Sequence, residues 1–137
     1  MSSKGWIGVD LDGTLAEYHG WKDAAHIGPP ILPMLGRVQA WLSSGKDVRI
    51  FTARANPRNP DVDAACNAIG DWCLRHLGKE LPITWEKDYG MIELWDDRCV
   101  QVVPNTGRIA TEEAAESALR EAEAVADEQS YIGKDKL

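Results

Sequence analysis

Positive charge is scarce in this 137-residue chain: 15 Lys and Arg stand against 22 Asp and Glu, a formal net charge of -7. That balance excludes a polybasic or histone-like nucleic-acid platform, because a surface that coats phosphate backbones needs an excess of cations. Long apolar runs are missing too. The opening Met-Ser-Ser-Lys-Gly-Trp leads into a short apolar stretch, well below the length of a membrane helix or a signal-peptide core, so the expected location is the cytoplasm, without membrane association. Cysteine is sparse and odd in number. Cys66, Cys73 and Cys99 include no CxxC pair and read as reduced thiols. A zinc site on Cys66, Cys73 and His76 is the alternative, but Cys66 and Cys73 recur on the helical face that also carries Ile69 and Leu77. That spacing suits core packing better than zinc ligation.

What is present is ordinary for one globular domain, 44% hydrophobic and 27% charged. A chain of this length buries roughly two-thirds of its unfolded surface and needs neither disulfide nor structural metal. Short apolar runs alternate with helical stretches, with strands expected at 6–9, 48–51, 81–84, 91–95 and 100–103 and helices at 33–43 and 61–77. Gly45 ends the first helix, and Gly78 suits a left-handed cap on the second. This alternation is the mark of an α/β fold: a five-stranded parallel sheet with helices on both faces. Residues 111–129 are rich in Ala and Glu and are expected to add a C-terminal helix to a single domain spanning 1–129, with 130–137 as a flexible tail. From 111 to 137 there are 8 acidic and 3 basic side chains, -5 of the total -7, which leaves the remainder close to neutral. The helix follows the fifth strand directly and is expected to pack within its own chain, which favours a monomer.

Three apolar runs end in groups that chemistry can use: Val9 precedes Asp10-Leu11-Asp12-Gly13-Thr14, Phe51 precedes Thr52-Ala53-Arg54, and Trp95 precedes Asp96-Asp97-Arg98. In an open parallel sheet the carboxyl ends of the strands share one edge, where ligands bind. Asp10, Asp12, Thr52, Asp96 and Asp97 should therefore converge. Crowded carboxylates repel unless a cation sits among them, and an all-oxygen donor set favours a hard ion such as Mg²⁺. Lys87 and Arg54 bring positive charge to the same region. A carboxylate nucleophile, a divalent ion, a hydroxyl and a Lys together describe phosphoryl transfer. Each residue also has a structural alternative: turn-forming acids for Asp10 and Asp12, a strand-end cap for Thr52, a solvated Lys87, an Asp97–Arg98 pair, and an ion pair of Arg54 with Asp61 or Asp63.

These residues resemble the haloacid dehalogenase superfamily of phosphohydrolases. Asp10-Leu11-Asp12-Gly13-Thr14-Leu15 is similar to its DxDGT motif, Thr52 to the second motif's Ser/Thr, Lys87 to the third motif's Lys and Asp96-Asp97 to the acidic fourth, in order over about residues 5–103. The resemblance implies a three-layer Rossmann-like fold and a Mg²⁺-dependent phosphatase in which Asp10 attacks phosphorus to form an aspartyl-phosphate. It implies that Asp12 protonates the leaving oxygen and then activates water, while Thr52 and Lys87 bind the phosphoryl oxygens. Mg²⁺ would be held by Asp10, the Asp12 carbonyl and Asp96, with Asp97 as a second ligand or a group behind the first. Members of this superfamily often carry a cap domain. Here the first gap, residues 15–32, and the single helix after Thr52 leave no room for one, so the site should be open. Tyr18, His19, Trp21 and His26 lie in the first gap, which reads as a flap. Of the six Trp, only Trp21 and Trp85 are candidates for touching a ligand, the others falling in core patterns.

Thr52-Ala53-Arg54 is also similar to the Ser/Thr-x-Arg motif in the phosphatase half of polynucleotide kinase/phosphatase enzymes, and the chain looks like small uncharacterised phosphatase-like proteins of bacteria and phages. The implied substrate is a phosphorylated small molecule, a nucleotide or a nucleic-acid end phosphate, with Arg54 binding it. The alternative from another class is a non-catalytic phosphate- or phosphoprotein-binding module on the same fold.

Overall fold

The computed structural model describes residues 5–111 and 119–126. They fall into two compact units divided after Asp97. In the first, the order is β1 (Trp6–Asp10), α1 (Leu32–Ser43), β2 (Asp47–Phe51), a 3-10 turn (Ala53–Ala55), α2 (Val62–Leu77), β3 (Ile83–Thr84) and β4 (Met91–Trp95). The strands form one parallel sheet in the order β3-β2-β1-β4. The fold is α/β with a parallel sheet of four strands, one fewer than expected.

The missing strand has a local cause. In the second unit the run at 100–103 meets the turn at 104–107, where Asn105 and Gly107 adopt positive φ, 65° and 74°. The chain doubles back on itself: Val103 N donates to Arg108 O at 2.7 Å, Ala110 N to Gln101 O at 2.9 Å, and Val102 forms an isolated antiparallel bridge with Ile109. The run expected as a fifth parallel strand thus finds backbone partners, at Gln101 and Val103, within its own unit. Residues 119–126 are helical and exposed. The rest of the expected C-terminal helix and the tail lie outside the described residues.

Helices on both faces is a second expectation the first unit does not meet. Stepping from β1 to β2 to β3 moves the same way across the sheet, so right-handed crossovers put α1 and α2 on one face. The register agrees: Ile7 lies beside Val48 and Val9 beside Ile50 on that face, and all four join one core cluster with Met34, Leu35 and Val38 of α1 and Ile69, Trp72 and Cys73 of α2. The connection from β3 to β4 jumps back across the sheet at residues 85–90 without a helix. On the opposite face the Trp6 ring does the covering. It lies over Gly8, where a Cβ would come within 3.2 Å of the ring and 3.3 Å of Leu94 and Met91. Arg49, paired with Asp47, stacks 4.7 Å above the Trp6 ring, and Trp6 Nε1 donates to Asp88 at 2.9 Å.

The helices themselves follow from simple rules. Pro33 sits in the first turn of α1, where its missing N–H costs nothing. Gly78 closes α2 at φ 79°, its N–H donating to the Leu74 carbonyl. Cys73 is buried in the core, which pushes its thiol up to about 11, and the described residues contain no His/Cys metal cluster. No described helix is long and apolar enough to cross a membrane.

The core assignment predicts a contrast in stability. Ile69, fully buried, should cost about 3 kcal/mol of unfolding free energy on truncation to Ala. Ile92, 62% exposed, should cost within about 0.5 kcal/mol. Urea denaturation of the two variants measures this, and equal losses would contradict the packing described.

Candidate functional site

Because all four strands run parallel, Asp10 at the end of β1, Thr52 after β2, Thr84 at the end of β3 and Asp96 after β4 share one edge of the sheet. Asp10, Asp96 and Asp97 each offer an oxygen there, and these oxygens all lie within 4.8 Å of one another. The β1–α1 connection begins with a tight loop. Leu11 O accepts from the amides of Thr14, Leu15 and Ala16, and Gly13 N donates to Ala16 O at 2.8 Å. Gly13 has φ 89°, and a Cβ on it would lie 2.6 Å from Asp97 Oδ2. Position 13 therefore requires glycine twice over, for its backbone conformation and for the approach of Asp97.

Thr14 ties the loop to the end of β4. Its hydroxyl accepts from Asp97 N at 2.9 Å and lies 3.1 Å from Asp97 Oδ1 and 3.3 Å from Asp10 Oδ2, so its one proton serves one of these two carboxylates at a time. Asp10 is pushed up to about 7. Burial is the largest cause, followed by a carboxyl–carboxylate hydrogen bond with Asp97 and the charges of Asp96 and Asp97, while the Thr14 hydroxyl pulls the other way. Among the described residues no cation is one of the groups acting on it.

Asp12 is not part of that cluster. Both its oxygens accept from the buried Arg54, Oδ2 from Nε at 2.8 Å and Oδ1 from Nη2 at 2.9 Å. The third guanidinium nitrogen, Nη1, reaches Ala24 O at 3.4 Å, and the ring of Trp21 packs 4.9 Å from the guanidinium carbon. Arg54 thus pairs with Asp12, 42 residues away in sequence, rather than with Asp61 or Asp63. Three of its five N–H donors are engaged within the protein in this way. The flap over residues 17–30 is pinned at its base, where Glu17 N donates to Pro29 O and Ile31 N to Leu15 O. Further along, Trp72 Nε1 donates to Gly28 O at 2.9 Å.

Thr52 is buried and its hydroxyl oxygen accepts from Arg54 N at 3.1 Å, capping the 3-10 turn while keeping its own proton to give. Lys87 lies on the exposed β3–β4 connection and makes no hydrogen bond or ion pair with another described residue. No described contact joins it to the acidic cluster. His19 and His26 are on the flap; His19 lies 3.4 Å from Glu17, and the His26 amide donates to Asp23. Among the Trp residues, Trp6 and Trp72 are buried and Trp41 and Trp95 pack on the core. Trp21 and Trp85 are 54% and 42% exposed. The role of Thr14, and the Arg54–Asp12 pair, were not anticipated; the first was signalled by its place directly after Gly13, the second by nothing local.

Compared with family models, with curated proteins and with solved structures, the chain matches none.

The raised Asp10 carboxyl makes a prediction for stability in buffer free of divalent ions. From about pH 4 to 7 the unfolded chain releases this proton while the folded one keeps it, so stability falls as pH rises through that window and levels off above it. Asp10→Asn removes the penalty. At pH 8 it should raise Tm by about 4 °C, the effect of roughly 1 kcal/mol, a figure discounted for partial exposure. At pH 4 the gain should vanish. Thermal unfolding across pH 4–8 measures it, and a gain that grew toward low pH would contradict the repulsion.

Proposed function

We propose that the chain is a Mg²⁺-dependent phosphomonoesterase that works through an aspartyl-phosphate on Asp10. The observation that carries this reading is the convergence of Asp10, Asp96 and Asp97 oxygens within 4.8 Å at the carboxyl edge of a parallel sheet. Three carboxylates at that spacing, with Asp10 pushed up first by burial and then by its acidic neighbours, fit a hard divalent cation that would offset their mutual repulsion. Bound by Asp10, Asp96 and Asp97 with the Asp12 carbonyl, Mg²⁺ would supply charge neutralisation for the incoming phosphate.

The remaining work falls to the chain's own groups. An Asp10 oxygen attacks phosphorus in line with the ester oxygen, the phosphorus–oxygen ester bond breaks, and the leaving oxygen takes a proton that Asp12 carries on a lone pair left free by its two bonds to Arg54. Asp12 recovers its proton from the water that then attacks phosphorus, which releases phosphate and restores the Asp10 carboxylate. Thr52 Oγ, already an acceptor for Arg54 N, has its hydroxyl proton available for a phosphoryl oxygen. Lys87 would bring its ammonium group from the β3–β4 connection. Arg54 acts as a positioning residue that fixes Asp12 in one orientation through two parallel bonds.

Turnover of 4-nitrophenyl phosphate tests this. Asp10→Asn should lower kcat by at least about a thousandfold, and chelation of divalent ions should abolish turnover. Asp96→Asn should raise the Mg²⁺ concentration required more than Asp97→Asn does, because Asp96 is half-buried at the sheet edge whereas Asp97 is exposed. Activity surviving in Asp10→Asn would contradict the covalent mechanism. Phosphate binding without turnover on a broad substrate panel would favour a non-catalytic binding module.

A further inference from the structure

Trp21 differs from most of the chain's other indoles, although Trp85 is exposed as well. Trp6, Trp72 and Trp95 each donate their N–H to a protein acceptor, and Trp41 packs on Trp95 at 5.1 Å between ring centroids. Trp21 is 54% exposed and has no hydrogen-bond partner among the described residues, yet its ring is fixed against the guanidinium of Arg54 at 4.9 Å. Arg54 itself is anchored by two bonds to Asp12 and one to Ala24 O. An exposed aromatic is normally free to swing; this one is seated on a buried cation that is itself locked.

We propose that Trp21 is a stacking platform for the base of a nucleoside monophosphate. The proposal rests on the phosphomonoesterase reading and names its substrate class. In-line attack by Asp10 sends the leaving oxygen away from Asp10 and toward the group that protonates it, Asp12. Whatever the leaving oxygen carries must then extend over the row formed by Asp12, Arg54 and Trp21. A ring bonded directly to that oxygen would sit over Asp12. A ring set further out by a sugar reaches Trp21, one guanidinium beyond. The indole already has one face on Arg54, so a base on the other completes a three-layer stack of base, indole and guanidinium, in which the cation polarises the aromatic system it rests on. Trp21 is exposed, so a single aromatic carries the recognition that an enclosing pocket would otherwise share.

The test compares kcat/KM for thymidine 5'-monophosphate, ribose 5-phosphate and phenyl phosphate. Stacking one base on an aromatic side chain supplies about tenfold or more, so thymidine 5'-monophosphate should exceed ribose 5-phosphate by about that factor. Trp21→Leu should bring the ratio close to one, and Trp21→Phe should restore most of it. A ratio near one in the wild type, or one unchanged in Trp21→Leu, would overturn the proposal. So would a loss of equal size on all three substrates, the mark of a structural role. Calorimetric binding to Asp10→Asn with Mg²⁺ separates this from the catalytic reading. If no substrate is turned over but thymidine 5'-monophosphate binds about tenfold tighter than ribose 5-phosphate, and Trp21→Leu removes that preference, the platform stands and the phosphatase does not. If the two bind equally, the platform is overturned.

Discussion

Like charges held close are the constraint around which this protein is built. Asp10, Asp96 and Asp97 arrive from the ends of two neighbouring parallel strands, β1 and β4, which are paired up to Val9 and Trp95, so the three acids emerge side by side. Several local features exist to make that crowding tolerable. Gly13 leaves the space into which Asp97 moves, and the Thr14 hydroxyl takes the Asp97 amide while lying within reach of both carboxylates. Asp10 absorbs the remainder by holding its proton up to about pH 7. Each of these costs stability or restricts the residues that the position accepts.

A second acid two residues on meets the opposite environment. Asp12 is matched by a buried guanidinium in a bidentate pair, and that same guanidinium holds the flap through Ala24 O and seats Trp21. One side chain thus joins the loop after β1, the turn after β2 and the flap. Removing Arg54 would leave Asp12 half-buried without its partner and free the flap from its inner anchor, so its effects on stability and on the site are coupled.

Much of the first unit was legible from hydrophobic pattern. β1, β2, β4 and both helices begin and end within a residue or so of their expected positions, because each is bounded by Pro, Gly or a polar strand end. The sharing of one edge by Asp10, Thr52 and Asp96 followed from parallel strands alone. The remaining differences lie outside what an apolar pattern encodes. Val100, Val102 and Val103 have strand composition, but the Asn105–Gly107 turn draws Val102 and Val103 into local antiparallel pairing. The single-sided helical layer depends on strand order, which apolar runs do not encode. Asp61 and Asp63 are close to Arg54 in sequence, whereas the loop after β1 brings Asp12 to it in space. Lys87 is marked by motif spacing, yet its exposed position on the β3–β4 connection comes with no contact to the acidic cluster among the described residues.

The central claim is that Asp10 becomes covalently phosphorylated, and chemical trapping tests it most directly. An aspartyl-phosphate is reduced by borohydride to homoserine, whereas a free carboxylate is not. Protein mixed with Mg²⁺ and 4-nitrophenyl phosphate, quenched in acid during turnover, reduced and digested should show homoserine at position 10 by peptide mass spectrometry, and none when the substrate is omitted. Turnover with no conversion at position 10, or with conversion at a different carboxylate, would contradict the account.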